Sequence, residues 1–345
     1  MSMKLKHYVI RRLILLVPTL IGVTLLIFAV LQFFSPVERA ALYVRDPREA
    51  RHLQGIIEKY HLNDPLYVQY YYWMREVLRG NLGWSKSVNM RVLDAIINFF
   101  PATAELTLYS APIIILAGIK LGIISAIHKD KAPDHVTRAS AIIGWSLPSF
   151  WIGIILLAIF YGQFKLFPPE RLSVDAKMYV MSPNFIRYTK LNTIDALLNG
   201  QLWIFIDALK HLVLPVISLT IQIVALIVRL MRSSMLEALS KGYILTARAK
   251  GLDEKEVIYK HARKNALIPV LTVTGILIAG MLNGLVITEV VFNYKGVGYW
   301  AANAAIQLDV PAILAFALFS GIIFVFANLA VDIMYAYIDP RIRLG

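Results

Sequence analysis

The residues with most capacity for specific chemistry lie in 229–265, here called the basic segment, which has an uncharged stretch on each side. A segment of this charge and length between two apolar runs predicts a docking surface on the positively charged side of a membrane. Bond-making chemistry has little support, since the chain has no cysteine and neither an H-E-x-x-H nor a G-x-S-x-G motif. Its seven histidines are scattered over His7, His52, His61, His128, His135, His211 and His261.

The basic segment predicts two helices that meet at Gly251. Residues 234–250 are mostly good helix formers, and Gly251 suits a left-handed turn that a side chain would resist. Asp253 and Glu256 follow with the spacing of a capping box, which predicts a second helix running toward Lys264. Such a helix, fixed to two spans at once, would transmit force. A plain solvated helical hairpin is the competing interpretation, and the residues alone do not separate the two.

The composition indicates a membrane protein. Hydrophobic residues make up 58% of the 345 residues and charged residues 17%, whereas a soluble domain has roughly half and a quarter. The net charge of +13 does not indicate nucleic acid, because the basic residues are spread over connections between apolar runs. Contact with the anionic headgroups of a lipid bilayer and with a cytosolic partner explains this charge better.

Stretches without charge predict six transmembrane helices. Five are long enough, or nearly so, to cross a hydrocarbon core of roughly 30 Å: Leu13–Phe34, Ala139–Phe160, Leu212–Val228, Ala266–Thr288 and Val310–Val331. The third is short and is expected to extend upstream through Trp203–Leu209. A sixth, Thr103–Ile127, contains Glu105 and Lys120 near its ends, and we expect both side chains to reach the headgroup region. Pro269 is expected at the start of a span, where its missing N–H costs little.

Both termini are expected on the cytoplasmic side. The first stretch is longer than a typical signal-peptide core and lacks a small-residue cleavage site, so it is interpreted as a signal anchor. Lys and Arg are about twice as dense in 1–12, 128–138, 229–265 and 332–345 as in the other connections, which places these four inside. The chain then divides into a tail with the first span (1–34), an extracytoplasmic helical domain (35–102), a five-helix transmembrane core (103–335) and a cytoplasmic tail (336–345).

The outer segment 35–102 is predicted to be folded. Asp46-Pro47 and Asp64-Pro65 each place a capping residue before a proline, and Gly80 supplies a helix stop. Between the last two signals, apolar residues recur at helical spacing, at Leu66, Tyr70, Trp73 and Val77. The aromatic run Tyr70–Trp73 is interpreted as part of an amphipathic helix that packs on its neighbours or lies at the headgroup level. A ligand-facing aromatic cluster is the alternative.

Polar residues inside spans are candidates for the translocation pathway or for helix packing, because charge is costly there. The candidates are Glu105, Gln222 and Asn283, and for the last two we favour a role in holding helices together. Prolines in or at spans predict kinks at Pro112, Pro148, Pro215 and Pro311. A secondary transporter would show repeated halves with matching intramembrane acids, and neither is clear here. A channel stays open as an alternative.

Several motifs, in the right order along most of the chain, resemble one family. TARAKGL at 246–252 and HARKNA at 261–266 resemble the cytoplasmic coupling loop of ABC importer permeases, and more narrowly the branch that serves peptide uptake. VFNYKGVG at 291–298 resembles that branch's outer loop after the fifth span, and DIMYAYIDPRIR at 332–343 its C-terminal signature. DPLYVQY at 64–70 and PATAEL at 101–106 are similar to its outer domain and the start of its second span.

Two positions depart from the broad permease consensus. The glutamate that opens the consensus loop is replaced by Leu245, and the proline that closes it by Lys264. The peptide branch resembles this chain in both respects, so the two departures narrow the resemblance to that branch of the family. No role that depends on that glutamate is carried over.

The resemblance implies an all-α, six-span permease of the type I ABC importer fold, in the cell membrane. Its implied partners are a second, homologous permease subunit, two cytosolic ATPases that hold ATP and Mg, and an extracytoplasmic substrate-binding protein. This chain would hold no cofactor or metal, and it has no G-x-x-x-x-G-K-[ST] loop, so it is not expected to be an enzyme.

The implied cargo is di- or oligopeptides. Oligosaccharides or metal chelates carried by the same machinery, and a secondary transporter, are the alternatives. The residues expected to contact or position the ATPases are Ala247, Gly251, Leu252, Asp253, Glu254, Lys255 and Val257.

Overall fold

The computed structural model describes residues 5–44, 48 and 53–338. Within these ranges, five helices are long and apolar enough to cross a membrane. They are α1 (Leu5–Leu31), α5 (Val92–Ile127), α10 (Leu202–Leu239), α13 (Arg263–Leu282) and α16 (Val310–Ile338). A short helix, α12 (Glu254–Glu256), and a π-helical turn over Val257–Ala262 run directly into α13. A bent pair supplies a sixth crossing if its two halves form one span. The predicted helical, polytopic architecture is confirmed.

A bent pair of helices lies where the sequence predicts one span, kinked at Pro148, over Ala139–Phe160. It consists of α6 (Ala132–Ser146) and α7 (Ser149–Leu156), which a π-helical turn extends to Gln163. The two halves differ in direction by 99°. Pro148 has φ −60°, and its ring restricts Leu147, which is extended with ψ 136°. The kink predicted at this proline is therefore a complete break.

The predicted span over Leu212–Val228 belongs to a longer helix. α10 begins at Leu202, which confirms the upstream extension, and continues well beyond the apolar stretch to Leu239. Hydropathy marks only its middle, because the last three turns carry the first cations of the basic segment.

The next predicted span, Ala266–Thr288, is wrong at its far end. α13 stops at Leu282, and Gly284, with φ +109°, turns the chain into the short α14 (Val286–Val291). Pro269 lies inside α13 and not at the start of the helix, so that prediction is also wrong. α15 (Val297–Ile306) then leads into α16.

The helix pair α5 and α10 makes the most extensive contact in the described structure. Gly118 and Gly122 lie one turn apart on α5, opposite Ile227 and Met231 on α10. A Cβ atom added at Gly118 would lie 2.5 Å from the Ile227 side chain, and one at Gly122 would lie 2.6 Å from Met231 Cβ. Small residues four apart allow two backbones to approach closely, as is common between membrane helices.

The segment after α1 is folded, as predicted, and packs on two of the long helices. It contains α2 (Pro36–Ala40), a 3₁₀ turn (Ala41–Tyr43), α3 (Leu53–Lys59), α4 (Leu66–Leu78) and a small antiparallel hairpin of β1 (Trp84–Ser85) and β2 (Met90–Arg91). Its apolar core includes Phe28 of α1 and Leu318 of α16. α5 begins at Val92, so the predicted outer segment 35–102 already contains its first turns.

The helix signals in this segment were partly right. α4 begins directly after Asp64-Pro65, but the Asp64 carboxylate contacts His61 Nδ1 at 2.7 Å and does not cap the helix. Gly80 has φ +76° and ends α4 as predicted. Asp46-Pro47 lies outside the described residues.

Tyr70 and Trp73 pack against α1, which confirms the interpretation of a packed amphipathic helix. The Tyr70 hydroxyl is hydrogen-bonded to the Thr24 hydroxyl at 2.9 Å, and both rings contact Phe28. Leu66, assigned to the same stripe, is exposed.

A second small core follows the bent pair. α8 (Val174–Val180) and α9 (Asn192–Leu198) bury their apolar residues against Ile204 and Ala208 in the first turns of α10. This places the start of α9 beside α5, where it becomes important for the site.

We predict that Gly118→Ala lowers the thermal stability of the detergent-solubilised protein, whereas Gly280→Ala does not. The first change forces a methyl group against Ile227, and overpacking typically costs about 1–3 kcal/mol, more than the roughly 1 kcal/mol gained in helix propensity. Gly280 has no heavy atom within 4 Å of an added Cβ. Heating followed by size-exclusion chromatography of the surviving protein measures both midpoints. Equal midpoints would contradict the close α5–α10 packing.

Candidate coupling site and buried polar networks

The basic segment leaves the bundle on α10 and returns through α12. α11 (Gly242–Ala249) lies between them, and the chain reverses at Gly251, which has φ +76°. This is the left-handed turn that the sequence predicted. The helix predicted over 234–250 is broken once, because the chain is extended at Lys241, with ψ 149°.

Asp253 caps the second helix, but the predicted capping box is not formed. Its carboxylate accepts a hydrogen bond from the Lys255 N–H at 3.1 Å. Glu256 pairs with Lys260 at 2.6 Å and does not return to the backbone of Asp253. The helix that starts here continues through the π-helical turn into α13, so the turn at Gly251 is joined rigidly to a long helix of the bundle.

The residues predicted to couple to ATPases fall into two groups. Ala247 and Val257 are buried, and Leu252 packs against the same apolar cluster, so these three position the turn. The others face outward, where a partner can touch them: Gly251, Asp253, Glu254 and Lys255.

An ion pair that the sequence pattern did not indicate spans the turn. Arg248 Nε and Nη2 donate to the two carboxylate oxygens of Glu254 at 3.1 and 2.6 Å. Both side chains are exposed, so the pair adds little stability, but its bidentate contact bridges α11 and α12 across the turn. Arg248 and Glu254 lie on opposite sides of the turn at Gly251, so their spacing in the sequence is not that of a pair on one helix.

Glu105 lies in a buried network, which corrects the expectation that it reaches the headgroups. Its side chain is 1% exposed. It accepts hydrogen bonds from the Thr193 N–H (2.8 Å) and hydroxyl (2.9 Å), from Arg171 Nη2 (2.7 Å) and from the Tyr294 hydroxyl (3.1 Å). Lys120 is exposed on α5, in keeping with the expectation for that residue.

The charges in this network support one another. Burial of the Arg171 guanidinium opposes its charge, but the Glu105 carboxylate outweighs that effect and raises the pKa of Arg171. Burial and the same carboxylate raise the pKa of Tyr294 well above its usual value, so its hydroxyl stays protonated and donates a hydrogen bond to Glu105. The network therefore fastens α5 to α9 and to the connection after α14.

A second buried carboxylate, Glu289, was not identified from the sequence. It accepts hydrogen bonds from the Thr103 hydroxyl at 2.6 Å, the Tyr299 N–H at 2.7 Å and the Leu285 N–H at 3.2 Å. Gly296 lies against it, since an added Cβ would be 2.6 Å from the carboxylate. The glycines of the 291–298 motif are the feature of the sequence that could have indicated this site, because a glycine leaves room beside it for the Glu289 side chain.

A third buried carboxylate, Asp134, lies at the end of the bundle that carries the basic segment. Arg232 donates to both of its oxygens, at 2.8 and 2.7 Å, the Ser125 hydroxyl donates to one of them, and the Asp130 N–H donates at 3.0 Å. This group ties α5, α6 and α10 together. It too was missed, because its members lie in separate segments of the sequence.

The sequence of this chain matches a known family of membrane transport proteins. Residues 118–344 match the family described as the inner membrane component of binding-protein-dependent transport systems. The chain belongs to this family. It is a multi-pass permease of an ABC importer, and the alternatives of a secondary transporter and a channel are excluded.

Relatives match the permease over nearly its whole length. The probable D,D-dipeptide transport system permease protein DdpB of Escherichia coli is 37% identical over 96% of this chain and 95% of its own. The dipeptide transport system permease protein DppB of Alkalihalophilus pseudofirmus is 36% identical over 97% and 99%. The oligopeptide transport system permease protein AppB of Bacillus subtilis is 33% identical over 97% and 99%. The resemblance inferred from the motifs is confirmed.

The remaining polar candidates make no hydrogen bond between helices in the described part of the permease. Gln222 Nε2 donates to Ser218 Oγ of its own helix at 3.3 Å. Asn283 follows the last residue of α13, and its buried side-chain oxygen has no partner among the described residues. Their packing role stays a prediction.

We predict that Gly251→Val abolishes transport while the permease still inserts and folds, and that Gly251→Asn retains most transport. Valine resists a positive φ, whereas asparagine adopts it readily. No heavy atom lies within 4 Å of an added Cβ, so the contrast reports backbone conformation and not a clash. Substrate uptake by cells is compared with the amount of permease in their membranes. Normal uptake by Gly251→Val would contradict a mechanical role for the turn.

Proposed function

We propose that this permease forms half of the translocation pathway of an ATP-driven importer of di- or oligopeptides. The observation that carries the proposal is the nearly full-length similarity to relatives whose names describe dipeptide and oligopeptide transport. The partners that complete the importer are a second homologous permease, an extracytoplasmic binding protein and two cytosolic ATPases.

The turn at Gly251 is the proposed contact with an ATPase. Buried Ala247 and Val257 hold the turn against the rest of the protein. The charged side chains at this turn are exposed, at Asp253, Glu254 and Lys255. A shallow groove lies beside them on the exposed side of the helix, lined by Tyr259, Lys260, Arg263, Lys264 and others. An apolar base with a charged rim suits a protein partner, because burial supplies affinity and charge supplies register.

The chemistry of ATP then belongs to the partners. ATP and Mg bind to the ATPases, and this chain contributes no phosphate-binding loop. Closure of the ATPases moves the turn, and the continuous element from Glu254 to Leu282 carries that movement into the bundle. ATP binding only has to favour one of two packings that differ by a few kcal/mol.

We further propose that both termini and the basic segment lie in the cytosol, with the segment from α2 to β2 on the outside. The positive-inside distribution of Lys and Arg supports this orientation. It brings the turn at Gly251 to the side where ATP is available.

We predict that deletion of the gene abolishes uptake of radiolabelled di- or oligopeptides, and that a plasmid copy restores it. Labelled oligosaccharides and metal chelates, tested in the same strains, are expected to enter unchanged. Loss of one of these with peptide uptake intact would assign the alternative cargo to the same machinery. The Gly251→Val copy, which is expected to insert but not to transport, controls for indirect effects of the missing protein.

The orientation is tested by single cysteines, since the natural chain has none. We predict that a membrane-impermeant maleimide labels Lys255→Cys in inside-out vesicles but not in intact spheroplasts. Tyr67→Cys, on the exposed face of α4, is expected to show the reverse pattern. Bound ATPases should protect only Lys255→Cys. The opposite labelling pattern would overturn the orientation, and labelling of Lys255→Cys without protection would overturn the coupling contact.

A further inference from the structure

A hollow of about 650 Å³ lies in the seam between α6 and α10. Two close contacts limit this seam. At one end, an added Cβ at Gly144 would lie 2.6 Å from the Ile221 carbonyl oxygen. At the other end, Arg232 holds Asp134 through two hydrogen bonds. The ten residues from Asp134 to Gly144 correspond to about 15 Å of helix, so the helices are pinned together above and below an open stretch.

The lining of the hollow is amphipathic. One face of each helix contributes, with residues recurring every three or four positions. Charged and polar side chains gather toward Asp134, and apolar ones lie toward Gly144. The lining residues used below are Arg138, Ile142 and Trp145 on α6 and Ala225, Arg229 and Arg232 on α10.

The hollow carries more positive charge than its carboxylate neutralises. Asp134 is already engaged by Arg232, Ser125 and the Asp130 N–H. Among the described residues, neither Arg138 nor Arg229 has a carboxylate partner. The guanidinium of Arg229 lies 5.7 Å from the centre of the Trp145 ring. The guanidinium groups of Arg138 and Arg229 therefore form a concave site that would bind an anion.

The surroundings indicate that this anion has an apolar tail. Ile142, Ile143 and Trp145 are 61%, 60% and 57% exposed, on a helix that forms part of a span. Arginine and tryptophan together are typical of the boundary between headgroups and acyl chains, where basic pockets between helices bind lipid headgroups. A small soluble anion would leave this apolar surface uncovered.

We propose that the seam between α6 and α10 binds an anionic phospholipid. Its phosphodiester group lies between the guanidinium groups of Arg138 and Arg229, and an acyl chain lies along Ile142 and Trp145. Guanidinium groups match phosphate oxygens in charge and geometry. The lipid fills the seam between its two pinned ends and neutralises the cations that the fold places there.

The double variant Arg138→Gln/Arg229→Gln tests the proposal. The matched control, Lys129→Gln/Lys131→Gln, removes the same charge from the exposed turn between α5 and α6 without touching the hollow. The assembled transporter is purified in mild detergent, and retained phosphatidylglycerol is measured by native mass spectrometry. Wild type and control are expected to retain it, and the double variant to lose it by about tenfold or more. Equal retention by all three would overturn the proposal.

A reporter in the hollow identifies the occupant. A fluorophore on Ile142→Cys is followed in nanodiscs of phosphatidylcholine with and without phosphatidylglycerol. Phosphatidylglycerol is expected to shift the emission, and excess inorganic phosphate is not. A shift with phosphate alone would point to a free anion and overturn the lipid proposal. Cross-linking of Ile142→Cys to the second permease subunit would show that a protein covers the seam and would also overturn it.

Discussion

A charge inside an apolar bundle must be neutralised where it lies, and three of the buried carboxylates in the described structure organise the long helix α5 around that constraint. Glu105 and Glu289 hold one half of α5 to α9 and to the connection between α14 and α15, while Asp134 holds its far end to α6 and α10. Between these ties, Gly118 and Gly122 let α10 approach. α5 is thus tied to its neighbours near both ends and in its middle, and α6, α9 and α10 pack against it.

The same distribution of contacts explains why movement should enter through the basic segment. The networks of Glu105 and Glu289 are buried and cost several kcal/mol to open. The turn at Gly251 is held by a few buried apolar side chains and by the exposed pair of Arg248 and Glu254, which is worth at most about 1 kcal/mol. A force applied there can change the angle of the turn more easily than it can separate α5 from its partners. α13 receives that change because α12 and the π-helical turn connect it continuously to the turn.

Local signals in the sequence predicted this fold well, and properties that depend on distant partners were missed. Gly251 was identified as a left-handed turn because a positive φ is a property of one residue. The end of α13 was misplaced because Leu285, Val286 and Ile287 continue the apolar run after the helix has ended. Glu105 was placed at the headgroups because Arg171, Thr193 and Tyr294 lie 66 to 189 residues away in the chain. Hydropathy marks where a charge is costly, but not where its partners are.

Helix α6 shows both a local constraint, the break at Pro148, and a constraint from distant partners, the contact of Asp134 with Arg232. Its first turn is held inside the bundle by Asp134, yet its later turns expose Ile142, Ile143 and Trp145. A straight span would carry these side chains along one continuous path through the bilayer, but the helix changes direction by 99° directly after them. Arg138 and the apolar face therefore lie within about two turns of one helix, before the break, and Arg229 lies beside them. A molecule with an anionic head and an apolar body satisfies both. The polar tie that fixes α6 is thus also the reason that the seam beside it needs an occupant.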